Sequence, residues 1–378
     1  MNIKQKSLNV AIVHDYLTTY GGAERVLEEL HNIWPAAKIY TATADYGRMG
    51  IFAGRFKNLN IKTSWAQNIP IFVKMPLLYR FLLPMIWSSI NIGNPDIVIS
   101  SSGSNMAKGV RIPKKAIHIC YCYTPPRFLH GLGTETNYLN IPIFKLLTYP
   151  FFLILKHYDL KTNEKVNLFI ADSQTVKLRI NKFYKNHAVV IYPPCEIPDK
   201  FNEVKSDNYY LVVSRLVKYK NVDLIVKAFK TLKLPLKIIG KGRDLKELKK
   251  MAANSKNIEF LGEVHEKKLR DAYKKCKALV VATKNEDFGM TIPEASGCGK
   301  PVIAYFSGGL KETVVNGKTG IFFYKLNEKN IVSAVHKFEK MKFDPKAIWL
   351  FSQKFSKKTF KRNIKSIVEK MANNRKSI

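Results

Sequence analysis

Two glutamates frame the loop-like stretch 286-EDFGMTIPE-294 in a chain that carries 63 Lys and Arg against 29 Asp and Glu. Carboxylates at that spacing can serve as an acid–base pair, as ligands for hydroxyl groups, or as the start of a helix. Two cations, Arg215 and Lys220, follow the apolar run 209-YYLVVSRL-216 and precede the helical pattern 222-VDLIVKAFKTLK-233. Cations at a strand end suit a diphosphate, whose departing charge must be neutralised when no metal does so. Lys218 lies beside them and reads as solvent-facing. Near the start, 14-HDYLTTYGGAERVLEEL-30 sets Gly21 and Gly22 just before another helix. A glycine turn feeding a helix N-terminus offers bare amides and a positive dipole end to an anion. A second glycine pair, Gly308–Gly309, precedes a helix after 301-PVIAY-305.

Each of these residues also has a plainer reading. Thr291 followed by Glu294 is the pattern of a capping box, and Pro293 is tolerated in a first helical turn. Glu294 is therefore readable as a cap, whereas Glu286 has no such role. Charges in strand-to-helix loops are often only solvated, and Gly21–Gly22 is also an ordinary turn. Several chemistries are missing: there is no Asp-x-Asp, no His-Glu-x-x-His and no Gly-x-Ser-x-Gly. The segment 312-ETVVNGKT-319 fails as a phosphate loop because Glu312 stands at the first glycine position. The segment 240-GKGRDL-245 lacks the third glycine of a dinucleotide fingerprint and reads as a tight turn.

The elements that must position these residues alternate along the chain. Strand-like runs occur at 8–16, 38–44, 96–102, 117–124, 168–173 and 188–194, then at 209–216, 236–242, 258–264, 278–283, 301–305 and 320–323. Near-continuous apolar runs fit strands buried on both faces, and amphipathic helices between them imply parallel sheets. The series restarts near residue 209, after the polar, proline-containing stretch 193-PPCEIPDKFNEVKSDN-208. The expected fold class is α/β, with two facing Rossmann-like doubly wound domains, 1–195 and 208–350, joined by a linker at 196–207. The basic helical tail, about 350–378, is expected to pack back on the first domain. In such sheets ligands bind at the carboxyl ends of the strands.

The net charge of +34 is compatible with nucleic acid, an anionic membrane face or polyanionic substrates, and also with Lys enrichment along the whole chain. The five cysteines lack zinc-ligand spacing and read as reduced cytosolic thiols. No signal-peptide pattern precedes the first strand, and no run of about 18 or more apolar residues suggests a spanning helix. A cytoplasmic protein is expected. Two segments, 65-WAQNIPIFVKMPLLYRFLLPMIWSSI-90 and 141-IPIFKLLTYPFFLILKHY-158, mix aromatics and Leu with Lys and Arg. They read either as core helices or as a surface resting on the inner face of the plasma membrane.

Taken in order, Gly21–Gly22, 214-SRLVKYKNVDLIVKAF-229, 262-GEV-264, Glu286 with Glu294, and 300-KPVIAYFSGGLKETVVNGKTGIFF-323 resemble the family 4 retaining glycosyltransferases of the GT-B fold. The likeness spans nearly the whole chain. The stretches 14–30, 98-VISSSGSNMAKGV-110, CYCYTPPRFLH and 191-IYPP-194 resemble bacterial GDP-mannose-dependent mannosyltransferases of surface polysaccharide assembly. The resemblance implies a nucleotide-sugar donor, GDP-mannose, as co-substrate, with neither cofactor nor metal, and a glycan or lipid-linked glycan acceptor. It places Gly21 and Gly22 near the donor phosphates, Arg215 and Lys220 on the diphosphate, and the Val264 backbone on the base. Glu286 would bind sugar hydroxyls, and Glu294 the ribose. Phe288, Gly289, Met290 and Thr291 would wrap sugar and phosphates. Catalysis would rest on Arg215, Lys220 and Glu286. Where similar sequences commonly carry His beside the transferred sugar, this chain has Tyr123; it can donate a hydrogen bond but is not a near-neutral acid or base. His14 and His130 are further acceptor-side candidates, each also readable as structural.

The implied reaction is hexosyl transfer with retention. Its rivals are a UDP-sugar-dependent transferase, a nucleotide-sugar epimerase or a phosphorylase of the same architecture, and a non-catalytic sugar-binding subunit. A basic nucleic-acid-binding protein fits the charge, but no helix-turn-helix or RNA-binding motif accompanies it.

Overall fold

The computed structural model describes residues 8–75, 78–132 and 142–376. The extreme N-terminus, residues 76–77 and residue 141 of the two apolar segments lie outside the described residues. The chain forms two compact units, residues 1–194 with 360–378, and residues 195–359.

The first unit is built on a seven-stranded sheet ordered β3-β2-β1-β4-β5-β6-β7. Its strands are β1 (Val10–His14), β2 (Lys38–Thr41), β3 (Ile61–Thr63), β4 (Ile97–Ser102), β5 (Ile117–Cys122), β6 (Leu168–Ala171) and β7 (Ala188–Val190). All neighbours pair in parallel. Alternate residues of β1 feed opposite faces, as the period-2 geometry of a strand requires. Val10 and Ile12 join one buried cluster with Val26, Leu27 and Leu30 of the helix Gly22–Ile33. Ala11 and Val13 join the other, with Trp87 and Leu83. Burial on both faces explains the unbroken apolar runs. The C-terminal helix Lys357–Lys376 sends Phe360, Ile364, Val368 and Ala372 into the first of these clusters, a four-residue spacing that keeps one helical face inward.

The second unit has a six-stranded parallel sheet ordered β10-β9-β8-β11-β12-β13. Its strands are β8 (Tyr210–Val213), β9 (Leu236–Ile239), β10 (Ile258–Gly262), β11 (Ala278–Val281), β12 (Val302–Tyr305) and β13 (Gly320–Phe323). Two apolar clusters again cover its faces.

Three expectations change. The strand β3 is absent from the sequence-based set, because Ile61-Lys62-Thr63 is short, lies at the sheet edge and shows no buried run. The stretch 196–207 is not a free linker but is packed onto the second unit. Lys300 donates to Val204 O at 3.0 Å and to Ser206 Oγ at 2.6 Å, and Trp349 Nε1 donates to Pro198 O at 2.9 Å. The chain groups with the first unit again from Phe360, later than residue 350.

Candidate functional site

In the second sheet β8 leads outward to β9 and β10, while β11 leads the other way to β12 and β13. Such a reversal opens a crevice at the carboxyl ends of the two central strands, the ordinary ligand position in doubly wound sheets. Lys220 follows β8 and Glu286 follows β11. There Lys220 Nζ donates to Glu286 Oε2 at 2.6 Å, with the side chains 13% and 18% exposed. A cation and a carboxylate thus stand in contact at the switch point.

Asn221 sets this register. It adopts a left-handed backbone, φ 52°, and its Nδ2 donates to Tyr219 O and to Ala282 O, both at 3.0 Å. One side chain therefore ties the loop after β8 to the loop after β11. From the sequence Asn221 reads only as a residue before a helix. Arg215 is exposed, and its Nη2 donates to Tyr219 Oη at 2.6 Å. The Tyr219 ring lies 5.9 Å from the Arg215 guanidinium carbon and 5.1 Å from Lys220 Nζ, so it spaces the two cations. Lys218 is exposed.

Close backbone approaches hold the loop that carries Glu286. Gly309 N donates to Glu286 O at 2.9 Å, and Asn285 N to Ser307 Oγ at 2.9 Å. A Cβ on Gly309 would lie 2.2 Å from Asp287 O, and one on Gly308 2.2 Å from Glu286 O. The second glycine pair therefore exists to let these loops touch. Likewise a Cβ on Gly240 would lie 1.9 Å from Ser214 O, and one on Gly242 2.1 Å from Leu216 O. The segment 240–242 is a close-packing turn beside Arg215, in line with the weak dinucleotide signal.

Phe288 is buried against Phe355, with ring centroids 5.5 Å apart, and Gly289 turns the chain at φ 86°. Met290 and Thr291 open the helix Thr291–Gly297, but no side chain caps it. The capping-box reading of Thr291 and Glu294 is thus corrected: Thr291 is already inside the helix. Glu294 is 4% exposed and its Oε2 accepts the Tyr273 hydroxyl at 2.9 Å, a tie to the helix Glu266–Lys275. Val264 follows β10 and is buried just before that helix.

The first sheet reverses between β1 and β4. At its switch point His14 Nδ1 and Ser101 Oγ lie 2.8 Å apart, and Ser101 Oγ and Tyr123 Oη 2.6 Å apart. Tyr123 Oη also donates to Ala23 O at 3.0 Å. Gly21 has negative φ, −146°, so the turn does not need glycine for its backbone conformation. Its N–H already donates to Glu24 Oε2 at 2.7 Å, an acceptor any incoming phosphate at that amide would compete with. Nearby, the buried Asp15 carboxylate accepts N–H groups of Gly103, Asn105 and Ala107 at 2.8–2.9 Å and so shapes the loop after β4.

His130 is placed differently. Its side chain is 3% exposed, its Nε2 lies 3.0 Å from Asp159 Oδ2, and its ring stacks on Phe183 at 4.4 Å. Lys108 Nζ completes the cluster, 3.1 Å from Asp159 Oδ1. Burial alone would raise the Asp159 carboxyl, but Lys108 and His130 hold it below the usual carboxylate range. His130 thus anchors the loop after β5 to the helix Pro142–Asn163.

Among the described residues no group of three or more His, Cys, Asp or Glu is arranged to hold a metal, and no helix is long and apolar enough to cross a membrane. None of the five cysteines, all among the described residues, forms a disulfide. An apolar surface is nevertheless open: Ile71, Met75, Leu78, Phe81 and Met85 are exposed, as are Phe151, Leu153 and Ile154. The Phe81 and Phe151 rings meet at 5.2 Å and join the two segments.

Residues 195–362 match the family described as glycosyl transferases group 1. An uncharacterized glycosyltransferase of Methanocaldococcus jannaschii is 30% identical over 251 residues, covering 62% of this chain and 70% of that protein. The GDP-Man:Man(3)GlcNAc(2)-PP-Dol alpha-1,2-mannosyltransferase of Xenopus laevis is 24% identical, covering 82% of this chain and 75% of that protein. Among solved structures, HepE of Anabaena in complex with UDP aligns with a TM-score of 0.69 at 15% identity, over 96% of this chain and 100% of that one. A likeness at that identity carries the fold.

Proposed function

This chain belongs to the group 1 glycosyl transferases and has the GT-B fold of two Rossmann-like domains, and from that premise we propose that it moves a mannosyl unit from GDP-mannose to a glycan or lipid-linked glycan acceptor, with retention. The single observation that carries the reading is the Lys220–Glu286 contact at the switch point of the second sheet. The mannosyl part draws on the Xenopus relative, whose name specifies GDP-Man.

In this reading Lys220 leaves Glu286 for the donor diphosphate and Glu286 turns to hydroxyls of the sugar. Arg215 adds a second cation. The bond between the anomeric carbon and the diphosphate oxygen breaks, and the electron pair leaves with the diphosphate, where charge stabilisation lowers the barrier most. The acceptor hydroxyl oxygen forms the new bond on the same face, and its proton passes to the departing phosphate oxygen. The buried Glu294 carboxylate, already aligned by Tyr273, takes ribose hydroxyls. The backbone at Val264 takes the base. Phe288, Gly289, Met290 and Thr291 line the sugar and phosphates, and Gly21 and Gly22 contribute amides. The exposed apolar surface around Phe81 and Phe151, with the exposed Lys74 on the helix Pro70–Lys74 and the exposed Lys156 and Lys161 on the helix Pro142–Asn163, suits an anionic membrane face on which a lipid-linked acceptor would reside.

Calorimetric titration with GDP-mannose and a panel of UDP- and ADP-sugars tests the donor. Saturable binding of GDP-mannose with weaker binding of the others is expected. Binding of UDP-sugars alone overturns the donor assignment. Conversion of the donor without acceptor would instead reveal an epimerase.

A further inference from the structure

The polar chain at the switch point of the first sheet has only one consistent proton order. Ala23 O is a carbonyl and can only accept, so the single Tyr123 hydroxyl proton is committed to it. The contact between Tyr123 and Ser101 must then run from Ser101 Oγ–H to Tyr123 Oη. That commits the only Ser101 hydroxyl proton, so His14 must donate from Nδ1–H to Ser101 Oγ. The other imidazole nitrogen, Nε2, faces Glu24 Oε1 at 3.7 Å, and the second oxygen of that carboxylate accepts the Gly21 N–H. Four residues from β1, β4, the loop after β5 and the helix Gly22–Ile33 thereby clamp both ends of one short turn. Glu24 holds the entering amide, and Tyr123 holds the Ala23 carbonyl of the first helical turn.

The environment keeps this order in place. His14 is 1% exposed and Ser101 fully buried, so water does not compete for the hydrogen bond between them. Burial pushes the Tyr123 hydroxyl well above its ordinary value, which keeps it an O–H donor.

We propose that Tyr123 is a positioning residue, which fixes the Gly21–Gly22 turn through the Ala23 carbonyl, and that Ser101 and His14 set the direction of its hydroxyl. The proposal rests on the reading that this turn takes part in donor binding. Its sense is that Tyr123 does not offer a hydrogen bond to the transferred sugar, since its proton is already given to the backbone. The Tyr123 ring, 5.5 Å from the Tyr121 ring, is itself packed in place by β5.

Two measurements on Tyr123→Phe test this. The first is amide hydrogen exchange in the ligand-free protein. Exchange of the peptide covering residues 21–25 should quicken about tenfold, because the tie to the turn is lost. Unchanged exchange overturns the proposal. The second is steady-state kinetics with the donor varied. The donor KM should rise roughly 5–20-fold while kcat stays within about threefold, the pattern of lost ground-state positioning. Ser101→Ala, which leaves the hydrogen bond to Ala23 possible but undirected, should shift KM the same way by a smaller factor. A tenfold fall in kcat at unchanged KM overturns the proposal in favour of direct contact with the reacting sugar. Unchanged kinetics, with normal donor binding by the wild type, overturns the proposal alone. Failure of the wild type to bind any nucleoside diphosphate sugar overturns the functional reading and this proposal together.

Discussion

Lys220 and Glu286 meet at 2.6 Å although 66 residues separate them in the chain. The contact follows from topology: β8 and β11 are neighbours only because the sheet order reverses between them. Each side chain neutralises the other in a site that is less than one-fifth exposed. Under the proposed function, a diphosphate and a sugar would part this pair together.

Lys220→Met removes the cation but keeps the apolar stem. kcat/KM should fall about 100-fold or more, corresponding to roughly 2.7 kcal/mol of lost charge stabilisation. Thermal unfolding should shift by an amount reflecting only about 1–2 kcal/mol, since Glu286 can turn toward water. Retention of more than a third of the activity would remove Lys220 from the mechanism.

Glu294→Gln separates packing from ligand binding. The amide oxygen can still accept the Tyr273 hydroxyl, so the unfolding free energy should stay within about 1 kcal/mol of wild type. Donor affinity should drop roughly 10–100-fold, the loss of charge-assisted hydrogen bonds to the ribose. Calorimetry on the variant checks it, and wild-type donor affinity would make Glu294 purely a partner of Tyr273.

The two glycine pairs should respond in opposite ways. Gly309→Ala drives a Cβ to 2.2 Å from Asp287 O, so the backbone around Glu286 must move. Stability should fall by about 2 kcal/mol or more, and activity with it. At Gly21 the nearest atom to an added Cβ is Glu24 Oε2 at 3.4 Å, and φ is −146°. Gly21→Ala should leave the fold intact or stabilise it by about 0.4–1 kcal/mol. Transfer should nevertheless weaken about tenfold if a ligand approaches the bare backbone there. Paired melting curves and kcat/KM values decide it.

Phe81→Ser with Met85→Ser tests the apolar surface. Each side chain inserted into a membrane face is worth about 1.5–3 kcal/mol. Sedimentation with anionic vesicles at low salt should fall at least tenfold for the double variant, with activity on a water-soluble acceptor unchanged. Equal sedimentation of both proteins would assign the surface another role.

The strand runs were legible because strands buried on both faces must be apolar throughout, and β3 was not because its residues are open at the edge. Position after a strand was enough to single out Lys220 and Glu286, but their contact depends on strand order, which no local pattern encodes. Thr291 and Glu294 carry a capping signature, yet the helix begins one residue earlier and Glu294 turns to Tyr273. The type of residue at Tyr123 announces a hydrogen-bond donor and says nothing of its target. Ser101 and Asn221 gave no signal, since a serine in an apolar run and an asparagine before a helix are both common.

His118 supplies a pH prediction. Burial pushes its ring down to about 3, with Ser100 Oγ at 2.8 Å from Nε2 and Lys165 O at 3.2 Å from Nδ1. The carbonyl fixes Nδ1 as the donor, so Nε2 must stay unprotonated to accept the Ser100 hydroxyl. In the unfolded chain the same ring takes a proton near pH 6.5. The unfolded state therefore binds more protons between these values, and stability present above about pH 6.5 is lost as pH falls toward 3. The upper limit for this one group is on the order of 5 kcal/mol. His118→Gln should flatten the slope of unfolding free energy against pH between about 6 and 4.5. Ordinary carboxylates contribute little in most of that window, and Asp159, held below the usual range, acts only beneath it. Urea unfolding at a series of pH values measures the difference, and parallel slopes for both proteins would show that the ring is already protonated in the fold.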